Sequence, residues 1–120
     1  MGTRAQIALK DGENRVYLYQ HYDGDTIFKT LATALTRGRD RWSDVEYLAR
    51  IIFSDMIRDR LDSTTGYGIG TSQHGDLSVT VPVLDCGTQL ITWEGPRAAA
   101  HGAPISFQAF VEKYAEKATA

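Results

Sequence analysis

The sequence predicts an α+β fold: one antiparallel sheet of about five strands with helices on one face, in the order ββααβββα. Three observations predict it. Thr3 to Lys10 and Arg15 to Tyr22 each alternate apolar with polar residues, as half-buried strands do, and "KDGEN" between them holds the Asp-Gly pair of a hairpin turn. "SDVEYLARIIFSDMIRDRLD" repeats its apolar residues at helical spacing. Leu77, Val79, Val81 and Val83 alternate with Ser78, Thr80 and Pro82. Strands joined by short turns pair antiparallel, so no parallel crossover is required.

In the first strand Ala5, Ile7 and Leu9 share a face. In the second, Val16, Leu18, Gln20 and Tyr22 share one face and Tyr17, Tyr19 and His21 the other. Asp23-Gly24-Asp25 breaks the alternation, and Ile27, Leu31 and Leu35, with Phe28 beside them, then recur as a short helix ending near Arg37-Gly38. "RGRDRW" is a polar link. Ser43 and Glu46 match a capping box for the long helix, with Trp42 and Tyr47 at the staple positions. The apolar stripe of that helix is Val45, Leu48, Ala49, Ile52, Phe53 and Met56.

The Gly- and Ser/Thr-rich "DSTTGYGIGTSQHGD" is a flexible connection running into a strand around Ile69. Pro82 marks the following strand as an edge or a bulge, and therefore as a site where self-pairing into a homodimer could occur. "DCG" is a turn and Thr88 to Trp93 the next strand. "EGPRAAAHGAP" is the best candidate for local mobility. "SFQAFVEKY" closes the chain as a helix capped by Ser106, with Ile105 and Phe110 as its staple and Phe107, Phe110, Val111 and Tyr114 inward.

A chain of 120 residues, 42% hydrophobic and 23% charged, suits one domain spanning 1–120 with one core. Thirteen Lys and Arg against fifteen Asp and Glu give a net charge of -2, so a dominant nucleic-acid or anionic-membrane surface is not expected. One cysteine, Cys86, permits no intrachain disulfide and fits a reducing compartment. "MGTRAQ" matches neither a signal peptide nor a myristoylation site, and no apolar run approaches a membrane span, so a cytoplasmic location is expected.

Several groups could carry chemistry. His21, Asp23 and Asp25, joined by His74 and Asp76 if the two turns meet in space, offer imidazole and carboxylate ligands for a divalent cation or an acid–base pair. The competing reading spends Asp23 on a turn with Gly24 and Asp25 on a helix cap, leaving no metal and no cofactor. "GYGIGT" is not a phosphate loop, because its glycines leave a helix rather than enter one and no Gly-Lys-Ser/Thr follows. Arg37, Arg39 and Arg41 beside Trp42 could grip phosphates, but Asp40 and Asp44 interleave and favour a solvated loop. Cys86 has no nucleophile signature around it. Tyr17, Tyr19, Tyr22, Tyr47 and Tyr67 carry apolar area and a hydroxyl, which suits a binding surface. If the helices pack on Val16 and Leu18, the Tyr17–Tyr19–His21 face looks outward.

Thr3, Arg4 and Ala5, then Tyr17, Tyr19, His21, Asp23 and Gly24, give the opening quarter a familiar look. "TRAQIALKDG" followed by "VYLYQHYDGD" resembles the start of small, largely uncharacterised proteins carried by tailed phages and prophages. Where those proteins often continue with Tyr-Pro, this chain has Asp25-Thr26. The resemblance implies a phage or prophage origin, a host-cytoplasm setting and an accessory role, and it brings no activity. The expectation is therefore a non-enzymatic protein that binds a host or phage protein, such as an anti-CRISPR-like inhibitor of host defence. Its surface would be Tyr17, Tyr19 and His21 with Arg39, Arg41 and Trp42. The alternative is a small metal-dependent hydrolase or ligand-sequestering protein using His21, Asp23, Asp25, His74 and Asp76.

Overall fold

The computed structural model describes residues 3–22 and 24–115. β1 (Ala5–Asp11) and β2 (Asn14–Gln20) form the expected hairpin, paired from Ala5 with Gln20 to Asp11 with Asn14. Three helices follow the sequence pattern: α1 (Ile27–Arg37), α2 (Val45–Met56) and α3 (Phe107–Tyr114). The remaining strands are β3 (Tyr67–Gly70), β4 (Val81–Asp85), β5 (Leu90–Glu94) and β6 (Ile105–Ser106).

The fold is α+β, but the sheet has six strands and is mixed, in the order β3-β2-β1-β4-β5-β6. The expected five-stranded antiparallel sheet is corrected in two places. β1 and β4 run parallel, with Ala8, Leu9 and Lys10 opposite Val83, Leu84 and Asp85. The two-residue β6 adds the outer strand beside β5. The parallel pair arises because residues 71–80 are not strand. They form a strap across the sheet that brings the chain back beside β1 in the same direction.

Pro82 therefore lies in an interior strand, not at an edge. Its ring removes a backbone donor, and the ladder with β1 begins at the next residue, Val83. Leu77 sits outside the ladder, yet packs with Ala8, Tyr17, Val81 and Val83.

The main core lies between one sheet face and the helices. Ala5, Ile7, Leu9 and Leu18 are buried against Ile27, Leu31, Leu35, Leu48, Ile52, Phe107 and Phe110. Burial of a Leu, Ile or Phe side chain contributes about 1.5–3 kcal/mol, so this layer dominates the stability. α1 packs against both α2 and α3, which places it in the middle of the helical layer. Ser106 caps α3 as expected, accepting from the Ala109 N–H at 3.0 Å.

The α2 cap is displaced by one residue. Asp44, not Ser43, holds the cap position, and its carboxylate accepts from the Tyr47 N–H at 3.2 Å. A carboxylate outcompetes a neighbouring hydroxyl at the positive end of a helix. The shift leaves Glu46 out of register for a capping box.

The loop expected to be mobile is tied down. Arg97 donates to the Ser78 carbonyl at 2.7 Å, Thr80 donates to the Pro96 carbonyl, and Ala98–His101 form a short 3-10 turn.

Candidate functional site

The helices cover the Val16–Leu18 face, so Tyr17, Tyr19 and His21 do lie on the other side of the sheet. That side is not bare. The strap crosses it and is pinned by Gln6, itself only 1% exposed. The Gln6 amide donates to the Ser72 carbonyl at 3.3 Å and accepts from the His74 N–H at 2.9 Å. Ser78 N–H donates to the Arg4 carbonyl at 3.0 Å.

Tyr17 is consequently a core residue, 6% exposed, which removes it from the expected binding surface. Its hydroxyl accepts from the Arg15 guanidinium at 3.2 Å. Arg15 also pairs with Glu94 at 2.8 Å, and these two hydrogen bonds hold its pKa above the ordinary arginine value against the opposing effect of burial. The physical reason is a contact sequence pattern does not show: Leu77 of the strap closes over Tyr17, Ala8, Val81 and Val83.

Tyr19 and His21 remain half-buried. The Tyr19 ring stacks on His74, with centroids 4.5 Å apart and planes 16° from parallel. Its hydroxyl lies 3.3 Å from His21 Nδ1. His74 Nδ1 is 3.9 Å from an Asp76 oxygen, and Arg4 Nε is 3.4 Å from the other. Tyr19 thus has His21 at its hydroxyl and His74 on its ring face. Of the metal-ligand set His21, Asp23, Asp25, His74 and Asp76, Asp23 and the Asp25 side chain lie outside the described residues. Among the described residues no three His, Cys, Asp or Glu side chains are grouped closely enough to hold a metal ion.

Arg39, Arg41 and Trp42 belong to the helical layer, on the far side of the sheet from Tyr19. Trp42 is 9% exposed, donates Nε1–H to the Leu35 carbonyl at 2.9 Å and meets Phe107 edge-on at 5.5 Å. It is core and is withdrawn from the binding surface, because an indole with a satisfied N–H packs well between α1 and α3. Arg39 lies over the Trp42 ring and Arg41 over that of Tyr47, each 4.7 Å from the centroid. The six expected binding residues therefore do not form one surface.

Cys86 is buried, and burial, reinforced by nearby Asp85, Asp11 and Asp44, pushes its thiol up to about 11. Such a thiol is protonated at neutral pH, which disfavours nucleophilic attack by it.

Two features escaped sequence reasoning. His101 stacks on Trp93 at 4.3 Å and meets Phe28 edge-on at 5.5 Å, in an aromatic cluster with Phe110 and Tyr114. The second is an apolar groove of about 490 Å³ beside α2, walled by Val45, Ala49 and Phe53 of that helix and by Val16, Leu18 and Ile69 of the sheet. The apolar positions of α2 were legible as one stripe. They are two: Leu48, Ile52 and Met56 face the core, and Val45, Ala49 and Phe53, spaced four apart, face the groove.

Comparison with protein-family models, curated proteins and solved structures finds no match. No helix among the described residues is long and apolar enough to cross a membrane.

Proposed function

We propose that this is a non-enzymatic binding protein, a phage or prophage accessory factor that acts in the host cytoplasm by occupying a protein partner, as an inhibitor of host defence would. The observation that supports it is the Tyr19 platform. A half-buried tyrosine on a rigid strand, stacked on His74 and hydrogen-bonded to His21, is already ordered, so contact costs little further side-chain entropy. Aromatic rings with polar edges are the side chains that dominate protein interfaces. Arg4 and Asp76 add a polar rim. The contact surface is then Tyr19, His21 and His74, in place of the broader set read from sequence.

Affinity capture from a bacterial host, with mass spectrometry, tests this reading. The native chain is expected to retain a specific protein, and the Tyr19→Ala/His74→Ala variant to lose it while still folding, with a melt lowered by only about 5–10 °C. Equal capture by both chains would remove the platform from the interface.

A second reading, a small metal-dependent hydrolase or ligand-sequestering protein, draws on one observation, that His21 and His74 both contact Tyr19. Calorimetry with zinc and manganese decides it: the binding-protein reading expects no heat, and micromolar binding abolished by His21→Ala would replace it.

A further inference from the structure

The groove beside α2 lies on the opposite side of the sheet from Tyr19 and is independent of the binding reading above. Its walls are apolar, and Ile69, on the β3 edge, is 64% exposed. The helical layer ends at α2, which leaves Ile69 uncovered and Val16 partly covered at the β2–β3 end of the sheet.

We infer that a second copy of this chain fills the groove, its α2 crossing α2 of the first about a two-fold axis near Ala49. The argument rests on the groove rim. Val45, Ala49 and Phe53 form a ridge of residues spaced by four, the ridge that packs into its own kind between crossing helices. Ala49 stands at the middle of that ridge and is its smallest side chain, which lets two backbones approach. Glu46 and Arg50 flank the ridge one helical turn apart. Neither is in an ion pair among the described residues.

With the two-fold axis perpendicular to α2 the helices run antiparallel, so Glu46 of each copy comes within reach of Arg50 of the other. The rim is thereby complementary to itself, as an isologous interface requires. A uniformly acidic or basic peptide would meet like charges on the same rim, which holds Asp11 and Glu46 as well as Arg15 and Arg50. Residues 63–73, which include the exposed edge, carry no charge, and the net charge of -2 opposes association weakly. Phe53 of each copy would cover Val16 and Ile69 of the other.

Sedimentation velocity on the full chain at about 100 µM, where a micromolar dimer is largely formed, tests the inference. The native chain is expected to sediment as a dimer. Glu46→Arg and Arg50→Glu singly each place like charges together at both symmetry-related contacts, and each is expected to weaken the dimer about tenfold or more. The double variant Glu46→Arg/Arg50→Glu is expected to restore it while the melts of all four chains stay alike, which separates self-pairing from the i,i+4 effect of the same charges within one helix. A monomeric native chain, a dimer indifferent to both single reversals, or a double variant that does not recover would each overturn the inference. If a reversal fails to fold, Ala49→Trp replaces it, since bulk at the crossing blocks approach without altering charge. Its expected state is monomer, and a persisting dimer overturns the proposal.

Discussion

Tyr19 and His74, on β2 and on the strap, lie face to face with ring centroids 4.5 Å apart. Their stacking joins the sheet to the segment that crosses it, and divides two tyrosines that share a strand face. Tyr17 falls under the strap and is buried, whereas Tyr19 stays half-exposed beside it. One is structural and the other is available for contact, although alternation places them on equal terms.

Tyr17→Ala is expected to destabilise the fold by about 3–5 kcal/mol, the usual effect of deleting a buried aromatic ring. Tyr17→Phe removes only the hydroxyl that accepts from Arg15 and is expected to cost about 1 kcal/mol. Tyr19→Ala should lie nearer the smaller figure, because its ring is only partly buried. Urea unfolding of the three variants measures the ordering. Equal losses for Tyr17→Ala and Tyr19→Ala would mean that the strap does not seal Tyr17.

The glycines of "TGYGIG" separate in the same manner. Gly66 has φ +91, and a Cβ there would come within 2.3 Å of the Tyr22 ring. Its carbonyl also accepts from the His21 N–H at 2.7 Å, so the turn cannot move away freely. Gly66→Ala is expected to cost about 1–3 kcal/mol. A Cβ at Gly68 or Gly70 meets nothing within 4 Å. Alanine at either is expected to change stability by less than about 0.5 kcal/mol. Thermal melts of the three single variants check the contrast, and a similar loss at all three would contradict it.

Much of the fold was legible because its elements are locally determined. The β1–β2 hairpin follows from alternation around Asp11-Gly12, and the three helices from period, with the cap read correctly for α3 alone: α1 has Thr26 at its cap position in place of the expected Asp25, and α2 has Asp44 in place of Ser43. What was not legible depends on distant contacts. Leu77 does share a face with Val81 and Val83, so alternation read one strand where only the latter half is in the ladder. The parallel β1–β4 pair went unseen because parallel crossovers usually announce themselves by a helix, and the strap has none. A two-residue strand such as β6 has no periodicity to detect. For the site, the sequence raised His21 and His74 together only on condition that their turns meet, and the structure brings each of them to Tyr19. The burial of Trp42 was not legible, since its partners Leu35 and Phe107 come from α1 and α3.

Cys86 is expected to resist alkylation in the folded protein. With a pKa of about 11, about one thiol in a thousand is thiolate at pH 8, and burial limits access further. Labelling by iodoacetamide should run at least about a hundredfold slower than for a cysteine-containing peptide and accelerate sharply through the urea transition. Native labelling at the peptide rate would show that the thiol is exposed and its reading as an inert residue mistaken.

His101 gives the fold a pH dependence whose sign follows from its surroundings. Burial against Trp93, and secondarily the charges of Lys113 and Arg97, lower its pKa below the ordinary 6.5. The unfolded chain then binds a proton at this site more readily than the folded one. By linkage, stability rises with pH between the lowered folded pKa and 6.5 and is fully present above 6.5. It is lost as the pH falls through the folded pKa. His101→Phe keeps an aromatic ring on Trp93 and removes the proton. Urea unfolding at several pH values between about 5 and 8 should show a smaller fall in stability on acidification for this variant than for the native chain. Parallel profiles for the two proteins would assign the acid sensitivity to other groups.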